Sequence, residues 1–112
     1  MLDLACGNGP LWPRLPSRAY VGVDVSATEL AAARDRGAGP LVRAWATALP
    51  LAGASVDVVL CSMALQVLTP LPAVLAETVR VLVPGGRLVA TMPDRGPLRP
   101  ADLPARMRRR VG

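Results

Sequence analysis

Two glycines and one aspartate in the first quarter of the chain are the residues best suited to ligand chemistry. Gly7 and Gly9 follow a short apolar segment, and Asp24 ends the next apolar segment. Glycines in such a turn let the backbone approach a ligand closely, because they carry no side chain. A carboxylate at a neighbouring strand end can accept hydrogen bonds from ligand hydroxyls. The spacing therefore indicates either a ligand-binding loop beside an acidic residue or simply a tight strand-to-helix turn.

Missing residue types exclude several kinds of site. The chain has no His, no Lys and two Cys, so the usual structural and catalytic zinc sites and the His-dependent hydrolase arrangements are excluded. A phosphate loop that ends in Gly-Lys is excluded as well, because it needs a lysine. The dinucleotide fingerprint requires a third glycine where Trp12 stands, which disfavours hydride transfer. No catalytic and no metal-ligating residue can be assigned.

Composition indicates one globular domain. The 112 residues are 52% hydrophobic, with ten glycines besides, enough for a single buried core. No apolar stretch reaches the length of a membrane helix. The residues after Met1 lack the basic and apolar parts of a secretory signal, so we expect a cytoplasmic protein.

The net charge of +5 arises mainly from the end of the chain, where residues 106–110 contain four arginines. Such a segment is either solvated or in contact with nucleic acid or another acidic surface. Because no aromatic residue lies among the arginines to stack on bases, nucleic acid is not the expected partner.

Short apolar runs alternate with helical patterns along the chain. The patterns predict strands over residues 1–5, 20–25, 41–46, 56–62 and 87–92. Residues 56–62 are almost entirely apolar, as in a strand that is covered on both faces. Alternating strands and helices predict an α/β fold with a parallel sheet.

A short helix is expected to begin at Pro10, with Pro13 and Pro16 limiting its length, and two longer helices are expected between the later strands. Ser26 and Glu29 form a capping box that begins the first longer helix, which ends near residue 36 before Gly37. Thr69 is expected to cap the second longer helix, with Pro70 at its first position. That helix carries a core-facing apolar stripe of Leu71, Val74, Leu75, Val79 and Leu82, and a turn over residues 83–86 follows it.

Four motifs occur in a characteristic order: LDLACGNG at residues 2–9, VGVDVS at 21–26, LPL with SVDVV at 49–59, and RVLVPGGRL at 80–88. Together they resemble the class I S-adenosylmethionine-dependent methyltransferases. The resemblance implies a Rossmann-like three-layer sandwich with a mainly parallel sheet of about five strands in the order 3-2-1-4-5. Residues 1–93 would form the cofactor-binding core and residues 94–112 a Pro/Arg-rich tail. The implied function is methyl transfer from S-adenosylmethionine to a small molecule; the alternative is a non-catalytic Rossmann-like binding or interaction module.

The same resemblance implies which residues bind the cofactor. Gly7 and Gly9, with Ala5 at a position where glycine is common, would wrap the methionine part, and Asp3 would orient its ammonium group. Asp24 would accept both ribose hydroxyls. The remaining expected contacts are Val25, Ala46 and Leu49 beside the adenine, Cys61 and Ser62 at the methionine end, and Trp45 where the family usually has an acidic residue that receives the adenine amino group.

Family members usually have an additional helix before the first of these strands and further strands after the fifth. The resemblance therefore implies a chain that is truncated at both ends, with a fifth strand whose outer edge is open. An open edge is a known site of association, so we expect self-association. Because the apolar stretches are too short for a membrane helix, we expect no membrane contact.

Overall fold

A five-stranded sheet organises the described part of the chain, which in this computed structural model comprises residues 1–15, 19–62, 64–65 and 67–91. The strands are β1 (Leu2–Leu4), β2 (Val21–Asp24), β3 (Leu41–Arg43), β4 (Val56–Ser62) and β5 (Leu82–Thr91). A 3₁₀ turn, Trp12–Arg14, follows β1, helix α1 (Ala27–Asp35) joins β2 to β3, and helix α2 (Leu71–Val81) joins β4 to β5. The strand order is β3-β2-β1-β4-β5 and every pair is parallel. The expected Rossmann-like α/β fold is confirmed. The predicted tail, residues 94–112, lies outside the described residues.

Helix α1 begins as predicted, but only half of its capping box forms. The Oγ atom of Ser26 accepts a hydrogen bond from the backbone N–H of Glu29 at 3.2 Å. The N–H of Ser26 donates instead to Oδ1 of Asp24 at 2.9 Å, because an aspartate side chain readily reaches the backbone two residues further on. Gly37, at φ +88° just after the helix, takes the left-handed conformation expected there.

The predicted cap of helix α2 is wrong by one residue. Pro70 is the N-cap, in an extended conformation, and no side chain caps the helix. Pro72 occupies the first turn, where its missing N–H needs no partner. The apolar stripe packs into the core as predicted at Val74 and Leu75, whereas Leu82 already belongs to β5.

β1 and β2 are each one residue shorter at both ends than predicted, and two other strand ends differ by more. β3 ends at Arg43, because residues 45–48 form a turn in which the N–H of Ala48 donates to the carbonyl of Trp45 at 3.1 Å. β5 begins at residue 82 rather than 87, and the predicted turn lies within it. Val56 pairs with Leu82 while Val58 pairs with Arg87, so the extra residues bulge out of the sheet.

Strand side chains alternate between the two faces of the sheet. On one face, here called the Leu4 face, strand and helix side chains pack into the main core; they include Leu2, Leu4, Val23, Val59, Cys61, Val74 and Leu75. The opposite face, here called the Asp3 face, carries Asp3 and Gly22, which pair across β1 and β2. Tyr20 and Cys6 also lie there, since a β-carbon added to Gly22 would come within 3.0 Å of both side chains.

Candidate ligand site at the carboxyl ends of the strands

The carboxyl ends of β1, β2 and β3 open into a cavity of about 320 Å³. Its described lining comprises Leu4, Ala5, Val23, Asp24, Val25, Ala44, Trp45, Ala46, Thr47, Ala64, Val67, Leu68, Thr69 and Val74. In open parallel sheets ligands bind at this edge, near the point where the strand order reverses, and here the order reverses beside β1. The volume is at the lower end of the range typical of small-molecule sites. The cavity is therefore the candidate ligand site.

Asp24 is the acidic residue within the described lining of this cavity. Its Oδ2 atom accepts a hydrogen bond from the backbone N–H of Gly7 at 2.8 Å, and its Oδ1 atom accepts one from Ser26 at 2.9 Å. An ionised carboxylate offers about four acceptor positions, so about two remain. The side chain is thus fixed in place by the backbone and still able to accept hydrogen bonds from a ligand.

The loop after β1 depends on left-handed backbone conformations at Ala5, Gly7 and Gly9, whose φ angles are +56°, +56° and +79°. Such conformations cost glycine little, whereas a residue with a β-carbon is strained by on the order of 1 kcal/mol or more. Ala5 therefore carries backbone strain in the cavity wall. A β-carbon at Gly9 would lie 3.3 Å from that of Ala33 in helix α1, so the loop also packs closely on that helix.

Asp3 lies on the opposite side of β1 from the cavity. It is 1% exposed, and its Oδ2 atom accepts a hydrogen bond from the hydroxyl of Tyr20 at 2.7 Å. The Tyr20 ring in turn meets Trp12 edge-on, with the ring centroids 4.9 Å apart. Burial raises the pKa of the Asp3 carboxyl and the hydrogen bond from Tyr20 partly offsets this, while burial and Asp3 together raise the pKa of Tyr20.

The structure brings together about half of the predicted site residues. Those that line the cavity are Ala5, Asp24, Val25, Trp45 and Ala46. Gly7 reaches the site through its hydrogen bond to Asp24. Asp3, Gly9, Leu49, Cys61 and Ser62 are not among the described lining residues.

The last three of these lie in the main core or at the carboxyl end of β4. Leu49 and Cys61 are buried in the main core. Ser62 ends β4, where its Oγ atom lies 3.2 Å from Oγ1 of Thr91 at the end of β5. Thr47 and Thr69 line the cavity without having been predicted. The Thr47 contact depends on the turn at residues 45–48, which the predicted strand over residues 41–46 did not include.

The cavity has an apolar rim. Large hydrophobic side chains in the described residues that remain exposed include Trp45 and Val67, each at 68%, and Val25 at 41%, and all three line the cavity. The indole N–H of tryptophan only donates hydrogen bonds, and its ring offers a large stacking surface. The rim is suited to a flat ring system.

The two cysteines are free and buried, on opposite faces of the sheet. Burial raises the pKa of Cys6 to about 12 and that of Cys61 to about 11, so both are protonated, unreactive thiols at neutral pH. Within the described ranges, no three or more His, Cys, Asp or Glu side chains cluster closely enough to hold a metal ion. No helix in those ranges has the length and apolar character that crossing a membrane requires.

Comparison with known proteins agrees with the fold. Trans-aconitate 2-methyltransferase from Acidovorax sp. (strain JS42) is 36% identical over 104 residues, covering 84% of this chain and 38% of the relative. Malonyl-[acyl-carrier protein] O-methyltransferase from Alcanivorax borkumensis is 40% identical over 106 residues, covering 87% of this chain and 36% of the relative. The chain thus spans less than half of the length of these curated relatives.

Solved structures of similar fold also match this chain over less than half of their own length. An S-adenosylmethionine-dependent methyltransferase from Mesorhizobium loti superposes with a TM-score of 0.71 at 28% identity, covering 81% of this chain and 45% of that one. The [4+2]-cyclase SpnF superposes with a TM-score of 0.73 at 27% identity, covering 91% of this chain and 44% of that one. The family model described as a methyltransferase domain matches residues 2–90. On this match, which includes β1 to β4 and all of β5 except Thr91, the chain belongs to the methyltransferase domain family.

Proposed function

We propose that the cavity binds S-adenosylmethionine and that the domain serves methyl transfer to a small-molecule acceptor. The observation that carries the proposal is the position of the Asp24 carboxylate. Two backbone N–H groups fix it, and it lines a largely apolar cavity. Its remaining acceptor positions are suited to the two adjacent hydroxyls of a ribose.

The rest of the cavity suits the two other parts of such a ligand. The apolar rim at Val25, Trp45 and Val67 would receive the adenine ring. The loop at residues 5–9 would lie beside the methionine part, where left-handed backbone at Ala5 and Gly7 brings main-chain atoms close to the ligand.

When bound, S-adenosylmethionine supplies a methyl group that its positively charged sulfur has already activated. The chain's own contribution is then mainly positioning, because alignment of two reactants can supply on the order of 7 to 11 kcal/mol of the barrier. Asp24 would orient the ribose, and the apolar walls would exclude water from the site. We assign no catalytic base, since Asp3 is buried with Tyr20 and Asp24 is assigned to the ribose.

The small-molecule acceptor is inferred from relatives whose names specify trans-aconitate and carrier-bound malonyl groups. A second candidate function is ligand binding without methyl transfer. It is favoured by the [4+2]-cyclase that shares this fold at 27% identity, and by Trp45, which cannot accept a hydrogen bond from adenine.

Isothermal titration calorimetry with S-adenosylmethionine and S-adenosylhomocysteine tests the proposal. We expect binding of both at a ratio of one to one, and no binding of methionine alone, which lacks the ribose and the adenine. Absence of binding by a folded protein would overturn the proposal. Binding of both nucleosides, with no transfer of radiolabelled methyl to trans-aconitate or other small carboxylic acids, would favour the second candidate.

A further inference from the structure

We infer that Glu77 and Arg80 are positioning residues for the adenine end of the ligand, although neither lines the cavity. The inference rests on the proposed function, because it concerns the same site. The two side chains lie on helix α2 and would fix the loop of residues 44–51 between β3 and β4, here called the wall loop, of which residues 44–47 line the cavity.

Three hydrogen bonds join the two side chains to the wall loop. Oε1 of Glu77 accepts from the backbone N–H of Leu49 at 2.8 Å. The Arg80 guanidinium donates to the carbonyl of Leu49 through Nη2 and to that of Leu51 through Nη1, each at 2.9 Å. The side chains therefore satisfy both backbone groups of Leu49 and the carbonyl of Leu51.

The two side chains also bind each other. Arg80 donates to both carboxylate oxygens of Glu77, through Nε and Nη2, and the hydrogen bond from Arg80 lowers the pKa of the Glu77 carboxyl. A guanidinium can serve both loop carbonyls and a carboxylate at once because its donors are fixed in a plane. A lysine ammonium has fewer donors on a more flexible stem and would not reproduce this arrangement.

The anchored residues lie next to the cavity wall. Residues 44–47 line the cavity, and Leu49, which is 4% exposed, fixes the following backbone in the core. At the other end of the loop, the N–H of Ala44 donates to the backbone carbonyl of Asp24 at 3.1 Å. The segment of residues 45–47 is therefore held at both ends by hydrogen bonds, to the carbonyl of Asp24 on one side and to Glu77 and Arg80 on the other.

Other contacts hold helix α2 against the chain before β4 without these side chains. The backbone carbonyls of Arg80 and Val81 accept hydrogen bonds from Ala54 and Ser55, each at 2.8 Å. Val74 and Leu75 are fully buried in the core. Because these contacts do not involve the Arg80 side chain, we expect the variants to fold, and the wall loop to be the part that changes.

The test compares Arg80→Met with the matched control Arg87→Met, which makes the same exchange at an exposed position on β5. Hydrogen exchange by mass spectrometry reports the wall loop directly, with no ligand present. We expect faster exchange in peptides that cover residues 44–51 of Arg80→Met, unchanged exchange in β1 and β2, and no change in the control. Glu77→Gln keeps an acceptor for Leu49 but loses the charge, so its effect should be smaller.

Calorimetry with S-adenosylhomocysteine then measures the affinity of the site for its ligand. We expect Arg80→Met to weaken binding roughly ten-fold, the scale of losing charge-assisted hydrogen bonds, and Arg80→Lys to recover only part of the loss. Unchanged loop exchange, or faster exchange with unchanged affinity, would overturn the inference. If the parent protein binds no ligand, the proposed function fails and this inference fails with it. If the parent binds and Arg80→Met binds equally well, only this inference fails.

Discussion

Asp24 combines a structural and a binding role in one side chain. It accepts hydrogen bonds from the backbone of the glycine loop and from the start of helix α1, so the two segments that meet at the site are fixed to the same carboxylate. A ligand hydroxyl that binds the remaining acceptor positions would meet a group that needs no reorganisation.

We predict that Asp24→Ala lowers the affinity for S-adenosylmethionine about 10- to 100-fold, because charge-assisted hydrogen bonds contribute roughly 1.5 to 3 kcal/mol. Calorimetry measures the change, with Asp35→Ala, at an exposed position in helix α1, as the control. If folded Asp24→Ala binds with the same affinity as the parent protein, the assignment of the ribose to Asp24 is wrong.

Trp45 should limit recognition of the adenine amino group. It is 68% exposed on the rim, and its indole cannot accept a hydrogen bond. We predict that Trp45→Asp tightens binding of S-adenosylmethionine several-fold, by providing an acceptor. The comparison with Trp45→Phe, which keeps an aromatic ring, separates the two possible roles. Weaker binding of Trp45→Asp together with unchanged binding of Trp45→Phe would show that stacking of the ring on the adenine contributes more to binding than the added acceptor does.

The buried pair of Asp3 and Tyr20 makes stability depend on pH. Since the pKa of Asp3 is raised in the folded protein, the folded state binds the proton more tightly than the unfolded state. Its ionisation therefore lowers the free energy of unfolding as the pH rises from below about 3.9, the usual value for aspartate, through the folded pKa.

Tyr20→Phe removes the donor that stabilises the ionised carboxylate. We predict a loss of about 1.5 to 3 kcal/mol in the free energy of unfolding at pH 7, and a smaller loss near pH 4, where more of Asp3 is protonated. Urea denaturation at the two pH values measures both quantities. A loss that is the same at both would show that packing of the ring edge, and not the charge, is responsible.

Strand β2 requires a glycine at residue 22 for reasons of space. A β-carbon there would lie 2.8 Å from Cδ2 of Leu41, 2.9 Å from the Tyr20 hydroxyl and 3.0 Å from Sγ of Cys6. We predict that Gly22→Ala destabilises the fold by about 1 to 3 kcal/mol through overpacking. Thermal unfolding measures the effect. Gly39→Ala is the control, because a β-carbon there would have nothing within 4 Å; equal melting temperatures for the two variants would contradict the prediction.

Elements with a strong local pattern could be predicted from the sequence. The apolar run of β4 has the predicted bounds, and the Ser26 cap begins helix α1 where expected. The end of β3 was wrong because residues 45–48 form a turn, and the start of β5 was wrong because the bulge after Leu82 depends on pairing with β4. Neighbouring residues alone do not contain that information.

The same distinction applies to the candidate site. Asp24 could be identified, because a strand end next to a glycine loop is visible in the sequence. The role of Arg80 could not be predicted, since its acceptors, the carbonyls of Leu49 and Leu51, lie 31 and 29 residues away along the chain. The partner of Asp3 was missed for a similar reason, as Tyr20 lies 17 residues away.

The sheet as a whole is covered unevenly. On the Asp3 face, β1 and β2 are buried at Asp3 and Gly22, whereas Val58 and Leu60 of β4 are half-buried and Val89 of β5 is 49% exposed. Exposed apolar area of this kind favours association.

We predict that the purified chain self-associates with increasing concentration, and that Val89→Thr, which keeps the branched shape but replaces one methyl group with a hydroxyl, reduces the association. Light scattering across a concentration series measures both. Parent protein that stays monodisperse and monomeric, with a sharp cooperative melt, would mean that this face is covered.

The separation of the two thiols by the sheet has a practical consequence. Cys6 lies near Tyr20 on one face, while Cys61 lies on the other face, in the core cluster that includes Val74 and Leu75 of helix α2. A maleimide or disulfide reagent reaches each sulfur only after its own layer opens, so mass spectrometry of the labelled peptides would record the opening of the two layers separately. The chain thus carries two native reporters that can distinguish loosening around the Asp3–Tyr20 pair from release of helix α2, without introducing a single new residue.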